Sequence, residues 1–329
     1  MLIKVIDKII SPIAMFLEYN YMQPLGINNS RKFALAHNRL KYGRYQEYRK
    51  NRYLRDFDEL TRENGLPVSP PNELKDGWAL DTTQTLPHLK QLLADSEEII
   101  MERGGVKRDS GLRGRRPFFQ DIMTDDLLEK YPSILDFATS SDVLSVISKH
   151  LGFIPVLSSA LPNGVRFNES DRKFDDTPDA PPRATQLFHL DYHDPHMAYA
   201  IVLLRDTTME HGPFCFLPAS VSQKAYEALN YWSIGRPFRV TDDEMYAVVS
   251  ESELKKLCYP AGTVLFIDPG RCFHYGSRNA LKTRYVMMYA YLSVCRSDFS
   301  DFLKNQCKYP TRDSDSRLRK MVLSREFMY

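Results

Sequence analysis

The sequence has few of the features that mark secreted, zinc-binding or nucleic-acid-binding proteins. Its 329 residues include five cysteines, an odd number that contains no Cys-x-x-Cys pair, and this pattern fits neither a disulfide framework nor a zinc knuckle. The formal net charge is only +2, from 44 basic and 42 acidic residues, so the strongly basic balance of a general nucleic-acid-binding protein is missing. We therefore expect reduced thiols in a cytoplasmic protein that does not bind nucleic acid.

Long uncharged runs are also missing from the N-terminal segment. The longest run there, residues 9–17, is too short to span a bilayer and contains Pro12, so neither a secretory signal nor a transmembrane helix is expected. In residues 1–18 the polar side chains instead recur at helical spacing and leave apolar side chains on the opposite side, which predicts an amphipathic helix. We expect its apolar face to dock on the domain, the alternative being peripheral contact with a membrane surface.

A basic segment follows this helix. Between Arg31 and Arg55, nine basic residues face a single acid, Glu47, and tyrosines are interleaved among them. Such charge runs usually form a solvated helix face. The alternative is attraction of anionic lipid or of a phosphorylated substrate.

Proline and periodicity divide the chain into three parts. Prolines within residues 66–72 indicate a linker, so we assign residues 1–71 to a basic helical extension, 72–296 to the main domain, and 297–329 to a basic C-terminal segment that packs on it. Helical patterns are expected around residues 87–103 and 131–151. Between them, residues 103–116 are rich in glycine and arginine; Arg113 and Arg115 could lie in a lid over an anionic ligand, or in an ordinary solvated loop.

Short strands with glycine and proline turns follow residue 155. They are predicted at residues 197–204, 212–218, 263–267 and 284–293. In the last strand Arg284 shares one face with apolar residues, and a stripe of tyrosines on the other face is expected to pack against the helices. Strands of this kind beside helices indicate an α+β fold with a β-sandwich or small barrel.

Three residues form a candidate metal site. His189 and Asp191 are two residues apart, so on an extended segment both side chains project to one face. His274 follows a strand and an Asp-Pro-Gly turn, from which it could supply the third ligand. Two histidines and one carboxylate on one face of Fe(II) leave positions open for a bidentate oxo-acid and for dioxygen.

Arg284 is the candidate partner for that oxo-acid. It comes ten residues after His274 on a strand face assigned to the interior, where a guanidinium needs an anion such as the distal carboxylate of 2-oxoglutarate. The alternative is a structural carboxylate. Gln186, three residues before His189, could also face the pocket and hydrogen-bond the substrate or the oxo-acid.

The group His193-Asp194-Pro195-His196 offers a competing metal site. Histidines three apart could share a metal on a helix, but Pro195 disfavours a helix there. We therefore expect His193 to contact the substrate rather than the metal.

Several motifs, taken in order, resemble the phytanoyl-CoA dioxygenase-like family of Fe(II)- and 2-oxoglutarate-dependent oxygenases. The resemblance covers roughly residues 73–293. It rests on Leu74-Lys75-Asp76-Gly77-Trp78, Phe188-His189-Leu190-Asp191, the segment from Gly212-Pro213 to Pro218-Ala219-Ser220, Ala261-Gly262-Thr263, and His274-Tyr275-Gly276-Ser277-Arg278-Asn279 continuing to Arg284.

The resemblance implies a double-stranded β-helix, a jelly-roll or cupin-like barrel flanked by helices, and conversion of 2-oxoglutarate to succinate and CO2. Related halogenases replace the carboxylate ligand by a small residue, whereas Asp191 is present here, which favours hydroxylation of an unactivated C–H bond. The family often has a histidine where this chain has Val221. The basic N-terminal region indicates a small or lipid-linked, anionic substrate.

Two other functions remain open from the sequence. One is a non-catalytic binding protein of the same fold, which an intact triad with Arg284 disfavours. The other is a metal-dependent isomerase or hydrolase on a cupin-like barrel, for which Arg284 would have no task. Tight zinc binding without any effect of 2-oxoglutarate would favour the hydrolase.

Overall fold

A computed structural model of the chain describes residues 27–62, 73–108, 118–158, 164–175, 177–233, 236–298 and 309–325. The expected amphipathic helix at residues 1–18, the expected linker at residues 66–72, and both Arg113 and Arg115 lie outside these ranges. Of the helices within these ranges, none is long and apolar enough to cross a membrane. The four cysteines at described positions, Cys215, Cys258, Cys272 and Cys295, are free thiols.

Helices and antiparallel strands are both present, as expected. The α-helices of the described ranges are α1 (Ile27–Arg62), α2 (Leu89–Arg103), α3 (Asp125–Lys130), α4 (Ser133–Ala138), α5 (Ser141–Leu151), α6 (Ala219–Ala228), α7 (Asp242–Tyr246) and α8 (Arg317–Leu323). The strands are β1 (Trp78–Asp81), β2 (Phe119–Asp121), β3 (Val156–Leu157), β4 (Val165–Ser170), β5 (Met197–Leu203), β6 (Cys215–Phe216), β7 (Lys255–Lys256), β8 (Val264–Ile267), β9 (His274–Tyr275) and β10 (Arg284–Leu292).

The strands form two antiparallel sheets. The larger sheet has the order β1-β8-β5-β10-β4-β2, and β3 also pairs with β10. The smaller sheet has the order β7-β6-β9. Apolar residues of both sheets meet in one cluster, in which Phe216 and Leu257 lie with Ile201 and Val286. The space between the two sheets is therefore part of the core, and it also contains the site described below.

The two faces of β10 have different neighbours. Tyr289 packs against Phe137 of α4, with ring centroids 5.5 Å apart, and the Tyr291 hydroxyl donates a hydrogen bond to the Ala138 carbonyl at 2.8 Å. Val286 lies on the opposite face, between the sheets. The predicted packing of the tyrosine stripe against the helices is thus confirmed.

Helix α1 packs on the rest of the protein through a buried arginine. The Arg49 side chain is fully buried and donates hydrogen bonds to the carbonyls of Pro155 at 3.0 Å and Met321 at 2.6 Å, as well as to those of Ile154 and Ser324. The expectation of a solvated helix face is therefore wrong at Arg49. Its guanidinium is buried because four backbone carbonyls accept the hydrogen bonds that water would otherwise accept.

Some predicted boundaries also differ. The apolar run at residues 212–218 forms only the two-residue strand β6, since Pro213 and Pro218 on its flanks have no N–H to donate. The helical pattern at residues 131–151 is divided into α4 and α5, because Ser140 adopts an extended conformation with φ −63° and ψ 147°. His274 lies on β9 rather than at the end of a loop.

Candidate metal centre

Backbone pairing brings the two candidate histidines together. The N–H of His189 donates to the carbonyl of His274 at 3.1 Å, and the N–H of His274 donates to the carbonyl of His189 at 3.0 Å. Directly paired residues of antiparallel strands project their side chains to the same face. The two imidazole rings accordingly lie side by side, with centroids 4.3 Å apart.

The outer nitrogen of each ring is held by a backbone carbonyl. Nδ1 of His189 lies 2.9 Å from the Leu187 carbonyl, and Nδ1 of His274 lies 2.9 Å from the Cys272 carbonyl. A carbonyl can only accept, so each Nδ1 carries the hydrogen and each Nε2 keeps its lone pair. Burial lowers the pKa of His274 in spite of the nearby Asp191, and this favours the neutral ring that a metal requires.

Asp191 completes the group of three. One oxygen of its carboxylate lies 4.0 Å from Nε2 of His189, and the other accepts a 2.8 Å hydrogen bond from the Tyr199 hydroxyl. Burial alone would raise the pKa of Asp191, but His274, His193 and the hydrogen bond from Tyr199 outweigh burial and lower this pKa. The carboxyl group is therefore ionised at neutral pH.

The donor set fits a divalent transition metal. One ligand atom each from His189, Asp191 and His274 lie within 4.8 Å of one another. Two neutral imidazole nitrogens and one carboxylate oxygen on a single face are the donors of the 2-His-1-carboxylate centre, which leaves the opposite face open. Hydrogen bonds that the two imidazoles donate to backbone carbonyls, and one that the Tyr199 hydroxyl donates to Asp191, fix the orientation of all three side chains, as expected around a metal.

The three side chains line a cavity that also contains Arg284. With its mouth, the cavity encloses about 810 Å³. Arg284 is buried, and it donates hydrogen bonds to the Ser277 hydroxyl at 3.0 Å and to the Ser170 hydroxyl at 3.3 Å. Within the described ranges no carboxylate pairs with Arg284, and its Nε has no hydrogen-bond partner.

The charge of Arg284 is retained in this environment. Burial lowers the pKa of the guanidinium to about 10, so the group is still protonated at neutral pH. A buried cation with only hydroxyl partners is costly unless an anion joins it. The site is therefore suited to a carboxylate that enters with a ligand.

Gln186 is not where the sequence led us to expect it. Its amide donates to the Ser277 carbonyl at 2.8 Å and accepts from the backbone of Arg183 at 3.2 Å, and it is not among the residues that line the cavity. The cause is a short 3₁₀ helix, Ala184–Gln186, which breaks the extended geometry assumed for residues 186–189. Gln186 therefore supports the turn around Ser277 and does not face the metal centre.

His193 does line the cavity. Its Nδ1 lies 2.8 Å from the buried carboxylate of Asp298, which Arg296 also contacts. His196 instead packs edge-on against Phe153, with ring centroids 6.1 Å apart. The structure thus separates the two histidines and keeps both out of the group of three ligands.

Several cavity residues were not identified from the sequence. They include Arg166, Asn168 and Ser170 on β4, Tyr199 on β5, and Phe214 before β6. Ser277 was interpreted only as a turn residue, although its positive φ of 62° is unusual for serine and directs its hydroxyl to Arg284. The tyrosine within the apolar run of β5 was the available sequence signal, whereas the backbone conformation of Ser277 emerges only in the structure.

None of the protein-family models matches the sequence, and no curated protein matches it. Among solved structures, similarity is found to the non-heme alpha-ketoglutarate-dependent carbocyclase SnoK from nogalamycin biosynthesis, at 14% identity over 65% of this chain and 79% of that chain, with a TM-score of 0.40. EctD from S. alaskensis, with 2-oxoglutarate and 5-hydroxyectoine, matches at 12% identity over 66% and 72%, with a TM-score of 0.44. HygX from Streptomyces hygroscopicus, with nickel and 2-oxoglutarate, matches at 15% identity over 65% and 82%, with a TM-score of 0.39.

Proposed function

We propose that this chain is an Fe(II)- and 2-oxoglutarate-dependent dioxygenase. It would hydroxylate an unactivated C–H bond of a small or lipid-linked substrate and release succinate and CO2. One observation carries the proposal: a single cavity contains the three metal-binding side chains of His189, Asp191 and His274 together with a buried guanidinium, Arg284, that lacks a carboxylate partner among the described residues.

Each residue has a defined role in this proposal. His189, Asp191 and His274 would hold Fe(II), which when bound supplies the activation of dioxygen. Arg284 would bind the distal carboxylate of 2-oxoglutarate, because a guanidinium and a carboxylate form paired, charge-assisted hydrogen bonds. Ser170 and Ser277 hold the guanidinium in place through their hydroxyls. Apolar residues of the same cavity, Ile201, Phe214, Val286 and Met288, would exclude water from the reacting group.

We propose further that the two sheets form the double-stranded β-helix of the phytanoyl-CoA dioxygenase-like family. Two features support this. The larger sheet places β8, β5, β10 and β4 side by side, and Phe216 of the smaller sheet, β7-β6-β9, packs in one buried cluster with Ile201 and Val286 of the larger sheet. The candidate ligands lie at the junction, where the segment around His189 pairs with β9.

Succinate formation is the direct test of this function. Purified protein supplied with Fe(II), 2-oxoglutarate and air should convert 2-oxoglutarate to succinate slowly without substrate, and faster with a substrate found by screening. His189→Ala and Asp191→Ala should abolish this conversion, whereas His211→Ala, which removes a histidine from an exposed turn, should not. Normal turnover by the first two variants would contradict the assignment.

A further inference from the structure

Strand β4 places a second guanidinium in the cavity. Arg166, Asn168 and Ser170 alternate along this strand and line the cavity, while Val165 and Phe167 face the helical core. Arg166 is 9% exposed, and neither its Nε nor Oδ1 of Asn168 has a hydrogen-bond partner. Buried polar atoms are nearly always satisfied in folded proteins, so these two groups point to a ligand.

Arg166 and Arg284 occupy different levels of the barrel. In the sheet, Arg284 lies opposite Ser170, whereas Arg166 lies opposite Met288. These positions are four residues apart along the strand, which corresponds to roughly 13 Å between Cα atoms. Met288 also pairs with Ile201, which is two residues from Tyr199 on β5. Arg166 is therefore displaced from Arg284 toward Tyr199, the residue whose hydroxyl donates a hydrogen bond to Asp191.

Asp121, an acid that interacts electrostatically with Arg166, forms no ion pair with it. Asp121 on β2 acts electrostatically on Arg166, but the Asp121 carboxylate accepts hydrogen bonds from the backbone of Met123 at 3.1 Å and Phe167 at 3.0 Å. No hydrogen bond or ion pair joins Asp121 to Arg166 within the described part of the chain. A cation at this depth without a close counter-ion destabilises the fold.

A count of charges indicates what kind of ligand is missing. With the proposed co-substrate bound, Asp191 contributes one negative charge and 2-oxoglutarate two. Fe(II) contributes two positive charges and Arg284 one, so these four groups balance. Arg166 and Arg239, which also acts on Asp191, add two positive charges, and Asp121 can offset only one of them. At least one positive charge is therefore left for another anion.

We propose that Arg166, with Asn168 beside it, binds a carboxylate or phosphate group of the organic substrate. This inference rests on the proposed function, since it assigns the metal and Arg284 to the co-substrate. It restricts the substrate to an anion whose charged group lies within reach of the metal centre. The same chemistry could come from the metal-side carboxylate of 2-oxoglutarate, and the test separates these two sources.

The first arm measures anion binding by calorimetry. The full chain is loaded without oxygen with Mn(II), which is a redox-stable replacement for Fe(II), and saturated with 2-oxoglutarate. Hexanoate should bind, and Arg166→Gln should weaken it about tenfold or more, because a charge-assisted hydrogen bond is lost. Arg166→Lys should restore part of the affinity. Hexanamide should bind equally to wild type and Arg166→Gln. The surface variant Arg205→Gln, which loses its exposed pair with Glu97 and its contact with the outer face of Tyr285, should bind hexanoate as wild type does.

The second arm measures 2-oxoglutarate itself. Its affinity should change less than about threefold in Arg166→Gln and fall far more in Arg284→Gln. Equal losses in the two variants would assign Arg166 to the co-substrate and overturn the proposal, as would a wild-type protein that does not bind hexanoate. If wild type binds hexanoate through Arg166 but does not bind 2-oxoglutarate, the proposed function fails while the anion site stands.

Thermal stability separates a binding role from a structural one. Arg166→Met keeps the length of the side chain and removes a buried charge, so the ligand-free protein should melt about 2 °C or more above wild type. Anion binding should be lost in the same variant. A lower melting temperature with unchanged hexanoate binding would show that Arg166 serves the fold and would overturn the proposal.

Discussion

His189 and His274 are joined by two backbone hydrogen bonds, one in each direction, at 3.1 and 3.0 Å. Their positions are 85 residues apart in the sequence, yet this pairing makes the two imidazoles direct neighbours. The carbonyls of Leu187 and Cys272 then fix each ring through Nδ1. Backbone pairing and these two carbonyls therefore fix the relative position and the ring orientation of the two histidines.

Tyr199 should tune the metal affinity through Asp191. Tyr199→Phe removes the hydroxyl that donates to the carboxylate at 2.8 Å and should weaken Mn(II) binding about 10-fold or more, the usual effect of losing a group that orients a ligand. Calorimetric titration of Mn(II) measures this change. The matched control is Tyr289→Phe, because the buried Tyr289 hydroxyl has no hydrogen-bond partner in the described ranges. Equal affinities of the two variants would contradict the role of Tyr199.

Arg49 should be essential to the docking of α1. Arg49→Met leaves three buried carbonyls and one partly buried carbonyl without their donor and should lower the free energy of unfolding by about 3 kcal/mol. Urea denaturation measures the loss. Lys50→Met changes the next residue, which is exposed, and should stay within about 0.5 kcal/mol of wild type. A small effect at Arg49 would show that α1 contributes little to stability.

Asp194 should make stability depend on pH. Burial raises the pKa of its carboxyl group to about 7, even though hydrogen bonds from Ser293 and His196 oppose the shift. The folded state then holds a proton that the unfolded state releases near pH 4, so the free energy of unfolding should fall as the pH rises from about 4 through 7. Asp194→Asn should flatten this part of the profile in urea titrations. An unchanged slope would show that Asp194 is ionised throughout.

His189, Asp191 and Arg284 could be predicted because local geometry determines them, whereas His274 was identified from its order among the motifs of the family that the sequence resembles. Two ligands spaced i, i+2 share a face of any extended segment, and the alternation along β10 places Arg284 opposite the tyrosine stripe. Arg166 could not be found in this way. In β4 Val165 and Phe167 face the helices and Arg166, Asn168 and Ser170 face the cavity. This alternation looks the same as that of a strand at the protein surface.

Other differences have equally local causes. Gln186 was placed in the cavity by assuming an extended chain, whereas a 3₁₀ helix turns it toward the Ser277 carbonyl. Arg49 lies within a charge run whose members are otherwise suited to water. Its burial is favourable because carbonyls of segments far away in the sequence accept its hydrogen bonds. The residue pattern of α1 alone cannot predict those contacts.

The proposed function requires that one cavity bind Fe(II) and 2-oxoglutarate together. Under anaerobic conditions, Fe(II)-loaded protein should develop a weak visible metal-to-ligand absorption band as 2-oxoglutarate is added. Arg284→Ala should require at least about tenfold more 2-oxoglutarate for the same band, while Arg205→Ala, which removes a surface arginine, should titrate as wild type. If no band forms although iron loading is confirmed, or if Arg284→Ala titrates as wild type, the account of this site is contradicted.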